Sequence, residues 1–98
     1  MMNALEQLVD QINPWSERLL LKGLAKINEQ DMQEVKQFII AAQQMDMKFL
    51  VQLLERIEAQ GRAYVRNSRE DIIDVTQSYF YVCQYMEFIR KKTSSIVE

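Results

Sequence analysis

The residues best able to do chemistry lie in one ten-residue stretch, YFYVCQYMEF, which runs from Tyr79 to Phe88. It holds five aromatic rings, a methionine and Cys83, the only cysteine of the chain. A thiol can serve as a nucleophile or a redox group, whereas clustered rings can bind another surface. Cys83 has no partner cysteine and no nearby cation that would stabilise a thiolate. We therefore interpret it as a buried structural thiol.

Few side chains of this protein could act in catalysis, because the chain contains no histidine. This removes the imidazole base of nucleophilic catalysis and the imidazole ligand of zinc or iron sites. Carboxylates remain, in two groups: Glu55 with Glu58, and Glu70 with Asp71 and Asp74. Their spacing is typical of solvated helix faces and helix starts. We predict a non-enzymatic protein with no cofactor and no metal; a carboxylate-only metal enzyme is the third and least favoured alternative.

An arginine cluster forms the second candidate site: GRAYVRNSR places Arg62, Arg66 and Arg69 around a predicted helix end, with Tyr64 between them. Such a cluster can hold a phosphate, an acidic peptide or a nucleic acid. Arginines also complement the dipole at a helix C-terminus. The whole chain has a net charge of −2, whereas nucleic-acid binders usually carry a basic excess. A nucleic-acid-associated regulator is therefore the alternative function.

The composition determines the elements that must position these groups. Only two glycines and one proline occur among 98 residues, and strand proteins of this size need more turn residues. Residues that favour helices dominate instead. We predict one helical domain, residues 1–98, of the all-α class. No apolar run is long enough to span a membrane and one cysteine cannot form an internal disulfide, so we expect a cytoplasmic protein with no membrane contact.

Apolar spacing and cap signals predict a small antiparallel bundle of four to five helices. Asn13 with Pro14 is typical of a helix start, and Asp31 with Glu34 resembles a capping box. Ser68 is the predicted N-cap of the last helix. The predicted helices span about residues 3–12, 14–28, 31–45, 46–66 and 68–93.

Residues 31–66 leave an alternative open, because their apolar stripe continues in phase through Phe49 and could belong to one long helix. Asp46 would then lie on the apolar stripe, where an unpaired carboxylate is costly. As the N-cap of a new helix it would be solvated, so we favour a break between residues 45 and 47. Gly61 falls on the apolar face, where it would allow a neighbouring helix to approach closely.

Helical projection divides the opening stretch into two faces. Tyr79, Cys83 and Met86 fall on the predicted core stripe, and Phe80 and Ile73 extend one edge of it. Tyr81, Tyr85 and Phe88 project to the opposite side.

Two interpretations of those three rings remain. Either the last helix is central and its own chain buries both faces, or the rings form an interface. The second predicts a protein-interaction module, such as an adaptor, a small chaperone-like subunit or a regulatory partner. We expect it to self-associate as a homodimer through the rings and to bind another, unknown protein.

Overall fold

The computed structural model describes residues 3–67 and 72–97 as an all-α bundle of four helices, and this part of the chain contains no strand. The first helix is α1 (Ala4–Lys22), which is followed by a single 3₁₀ turn (Leu24–Lys26). The others are α2 (Glu29–Gln44), α3 (Lys48–Arg66) and α4 (Ile72–Val97). The predicted fold class is confirmed.

Successive helices run in opposite directions, as contacts near their ends require. Lys22 at the end of α1 pairs with Asp31 at the start of α2, at 2.6 Å. Phe49 at the start of α3 contacts Tyr85 in the second half of α4. The α4 helix also packs on α1, which closes the bundle around one apolar core. The largest side chains with almost no solvent exposure are Trp15, Ile12, Leu19, Met32, Leu50, Leu54 and Ile57.

The α1 helix passes straight through Pro14, so the predicted boundary between residues 12 and 14 is wrong. Proline has no amide hydrogen, and the Asp10 carbonyl therefore loses its usual helical donor. Both residues are exposed, and water can satisfy that carbonyl. The buried row Leu8, Ile12, Trp15 and Leu19 continues on either side of the proline, and its packing holds the helix together.

The other end of α1 also differs from the prediction, because the helix stops at Lys22 instead of continuing to residue 28. Gly23 adopts φ 95°, a region that favours glycine, and its amide donates to the Leu19 carbonyl at 2.9 Å. The α2 helix then begins with a capping box between Asn28 and Asp31. The sequence pattern had predicted Asp31 with Glu34; Asp31 is instead the third helical residue and Asn28 the cap.

The break between α2 and α3 is confirmed, although its chemistry differs from the prediction. Asp46 adopts φ 56° and lies between the two helices, so its carboxylate is exposed, as expected. It is not the N-cap, however, because Met47 occupies that position without a side-chain hydrogen bond. Aspartate is one of the few residues that tolerate this left-handed conformation, which explains how the chain reverses here without glycine.

The α4 helix continues to Val97, four residues beyond the predicted end. The predicted start at residue 68, with Ser68 as N-cap, lies outside the described residues. Two predicted edge positions of the core are wrong: Ile73 and Phe80 are both more than half exposed. Leu20 of α1 is also largely exposed.

Candidate functional site

Three aromatic rings from α3 and α4 are in contact, and Tyr81 lies one helical turn before them on α4. We call these four residues the aromatic surface: Phe49, Tyr81, Tyr85 and Phe88. Phe49 is 55% exposed, Phe88 54% and Tyr81 46%. Tyr85 is half-buried and packs against the edge of the core. The chain therefore covers one of the three predicted rings in part and leaves the other two open to solvent.

Tyr85 is the centre of the aromatic surface, because rings from both helices pack on it. The Phe49 ring meets it edge to face at a centroid distance of 5.1 Å. The Phe88 ring stacks beside it at 6.3 Å with an interplanar angle of 14°. Lys92 Nζ lies 5.3 Å from the Phe88 centroid, within the range of a cation–π interaction. These contacts orient the rings without removing them from water.

Helix geometry explains why α4 carries rings on two faces. Val75, Tyr79, Val82 and Met86 recur at intervals of three and four residues and are all buried. Tyr85, four residues after the exposed Tyr81, contacts Phe49 of α3. On the same side Ser78, which is buried, donates a hydrogen bond to Gln60 Oε1 of α3. The α3–α4 contact is thus polar near Ser78 and aromatic towards Phe88.

Sequence reasoning missed Phe49 as part of this surface, because its apolar character assigned it to the core stripe of one continuous helix. The buried residues of α3 are Leu50, Leu53, Leu54, Ile57 and Gly61. Phe49 precedes Leu50 by one position and is therefore rotated by about 100° from the middle of that stripe. This offset, together with the break at Asp46, could have predicted that Phe49 lies at the edge of the core and not within it.

The opposite side of the same stretch forms a small polar cluster between α4 and α1. Tyr79 Oη donates to the Ser16 carbonyl oxygen at 2.6 Å, and Ser16 Oγ donates to the Asn13 carbonyl oxygen at 2.8 Å. Burial raises the pKa of Tyr79, and the neighbouring Cys83 raises it further. Burial also raises the pKa of the Cys83 thiol, although hydrogen bonding to Tyr79 and Ser16 opposes this in part. A raised pKa keeps the thiol protonated and unreactive at neutral pH.

The predicted arginine cluster is only partly within the described residues. Arg62 pairs with Glu58 at 3.2 Å and with Glu29 of α2 at closer range. The pKa of Arg62 is raised above its ordinary value, and the hydrogen bond to Glu29 is the main cause. Arg66 is exposed, and Arg69 lies outside the described residues. Arg62 therefore stabilises the contact between α2 and α3, and its guanidinium is already occupied by carboxylates.

Other features that could hold a ligand are modest. An open depression of about 330 Å³ lies around Asp46 at the reversal between α2 and α3, and another of about 290 Å³ lies between α1 and the end of α2. Among residues 3–67 and 72–97, no group of three or more cysteine, aspartate or glutamate side chains is arranged to hold a metal ion. Within the same ranges, no helix has both the length and the hydropathy needed to cross a bilayer.

Comparison with known proteins assigns no family to this arrangement. No protein-family model, no curated protein and no solved structure matches the chain.

Proposed function

We propose that the protein is a non-enzymatic interaction module that acts in the cytoplasm and self-associates through the aromatic surface. The observation that carries the proposal is the cluster of Phe49, Tyr85 and Phe88, in which rings from two helices pack together while two of them remain more than half exposed. Burying such rings against a second polypeptide would gain apolar contact area at a small conformational cost.

The chemistry of the rings favours a protein partner over a small ligand. Tyrosine combines a ring face suited to apolar contact with a hydroxyl group that can bond to water, and it is enriched in interface cores. Neither of the two depressions described above is lined by these rings. A surface of this shape suits another helix, packed along α4.

The nucleic-acid alternative has less support. Its first residue, Arg62, is bound by Glu58 and Glu29, and a phosphate would have to displace both carboxylates. Arg66 on its own would supply one exposed charge, whereas affinity for nucleic acid grows with the number of phosphates that are neutralised.

The proposal can be tested by capture of partners from the native cell with differently altered baits. The first bait is the wild type, and the second is Tyr81→Ser/Tyr85→Ser, which removes two rings of the aromatic surface. The matched control is Leu21→Ser/Ile40→Ser, which replaces two exposed apolar residues on α1 and α2 with the same residue. A second copy of the chain, carrying a different tag, is expressed alongside each bait.

We expect the wild type and the control to recover the same polypeptides, including the second copy, and the tyrosine variant to lose them. All three baits must have the same helicity by circular dichroism. Recovery of an identical set by all three baits, or a loss caused equally by the control, would contradict the proposal.

A further inference from the structure

The α4 helix carries a stripe of residues with a negative charge near one end and a positive charge near the other. Two such stripes are therefore complementary in charge when they run antiparallel. Asp74 is exposed in the first turn of the described helix, and Lys92 is exposed near its other end. They lie 18 positions apart, which is about five helical turns, so both project from the same side of α4. Tyr81, Tyr85 and Phe88 lie between them on that side.

The spacing of these residues is symmetric. Asp74 and Lys92 are equidistant from position 83, and so are Tyr81 and Tyr85. Two copies of α4 packed antiparallel about a two-fold axis at this position would place Asp74 beside Lys92 of the second copy at both ends. The same operation places Tyr81 beside Tyr85 of the second copy, twice. A two-fold interface requires this kind of self-complementary surface.

The end charges decide between the two possible orientations of the second helix. Only the antiparallel orientation is self-complementary in charge. A parallel arrangement has no such property, because it would set Asp74 against Asp74 and Lys92 against Lys92, and like charges repel.

We infer that the occupant of the aromatic surface is a second copy of this chain, with the two α4 helices antiparallel and centred on position 83. This inference rests on the proposed function and adds the orientation and the register of the two copies. The charged pairs at the two ends select the antiparallel orientation, and the rings between them supply most of the buried apolar area.

Charge reversal tests the register. Asp74→Lys and Lys92→Asp each turn both end pairs from attractive to repulsive, so we expect each variant to raise the dimer dissociation constant about tenfold at low salt. Mixing the two variants in equal amounts restores opposite charges at both ends, and the mixture should form a heterodimer more tightly than either variant self-associates. The double variant Asp74→Lys/Lys92→Asp should regain the wild-type dissociation constant.

The controls are Asp10→Lys and Lys36→Asp, which make the same charge changes at exposed positions of α1 and α2. Their dissociation constants should stay at the wild-type value. The double variant also controls for effects of the reversed charges on α4 itself, because it contains both substitutions and still pairs opposite charges. Masses are read by light scattering and helicity by circular dichroism.

Three outcomes would overturn the inference: a monomeric wild type, single variants that dimerise as the wild type does, or a mixture that associates no better than its components. A monomeric wild type would also remove self-association from the proposed function, whereas the other two outcomes would leave it in place. Capture of another polypeptide that depends on Tyr81 and Tyr85 would keep the interaction module while rejecting the antiparallel homodimer.

Discussion

Apolar groups from neighbouring helices meet in two contacts of the bundle, but only one of these contacts buries them. In the contact between α2 and α3, Gly61 is buried, and the end of the Met32 side chain occupies the space where a Cβ would lie. In the contact between α3 and α4, the Phe49 and Tyr85 rings touch at 5.1 Å, yet Phe49 stays 55% exposed. Contact between apolar groups is therefore not the same as burial.

The size of the residue at the contact accounts for the difference. Glycine leaves room for a methionine from the next helix, and the chain closes this contact by itself. Large rings at the edge of α3 and α4 pack on one another, but no further element of the described chain covers them. The first contact is a feature of stability, and the second is the one we assign to recognition.

The largest expected effect concerns the contact between α2 and α3. Gly61→Leu would force a branched side chain into space held by Met32 and Ile27, so we expect the free energy of unfolding to fall by about 3 kcal/mol or more. Gly61→Ala adds one carbon against the flexible end of Met32 and gains helix propensity, so it should change stability by no more than about 1 kcal/mol. Chemical denaturation measures both.

The pair of Gly61 variants is its own control. Leucine and alanine change the same residue, and only the bulk differs. Equal midpoints for the two would mean that α2 does not approach α3 closely at Gly61.

The next effect concerns Tyr79, which lies on the same helix as the aromatic surface but is buried. Tyr79→Phe leaves the Ser16 carbonyl without the phenol donor, and we expect a loss of about 1 kcal/mol at neutral pH. Equivalent truncation of exposed Tyr81 to phenylalanine removes no described hydrogen bond and should cost much less. Thermal unfolding of the two variants side by side tests whether the two faces of α4 differ as described.

The raised pKa of Tyr79 predicts how the stability of the protein changes at alkaline pH. Its pKa is raised from an ordinary value of 10.0, and that of Cys83 from 9.0, so the folded chain holds these protons longer than the unfolded chain. Their stabilising contribution is complete below about pH 9 and is lost as the pH rises through the raised pKa values. The free energy of unfolding should fall above that pH, and less steeply in Tyr79→Phe. An equal slope in both proteins would rule out the phenol as a cause.

A smaller effect is expected within the aromatic surface. Phe49→Ala and Tyr85→Ala, measured singly and together, should give a coupling energy of about 0.5 kcal/mol in the monomer, at the low end for aromatic pairs because the contact is exposed. A coupling energy well above about 1.5 kcal/mol would mean that these rings act as a core and not as a surface.

Much of the bundle follows from sequence because burial repeats at helical spacing. The rows that contain Leu50, Leu54 and Ile57 on α3 and Val75, Val82 and Met86 on α4 were predictable, and so was the space at Gly61. These positions depend on one helix and its periodicity alone.

The errors occurred where a local signal competed with tertiary packing. Asn13 with Pro14 is typical of a helix start, but burial on both sides of the proline holds α1 together. Asp31 resembled a cap, yet Asn28 accepts the hydrogen bond from its amide. The exposure of Phe49 depends on where α3 lies relative to α4, which periodicity within one helix does not specify.

The most direct test of the account is the mass of the protein in solution across a wide range of concentrations. Sedimentation equilibrium of the wild type should give a mass that rises from one chain towards two, because we propose that a second copy covers the aromatic surface. The Tyr81→Ser/Tyr85→Ser variant should keep its helicity and remain a single chain throughout, while Leu21→Ser/Ile40→Ser behaves as the wild type does. A wild type that stays a single chain, or a tyrosine variant that loses helicity with an unchanged mass, would contradict the account.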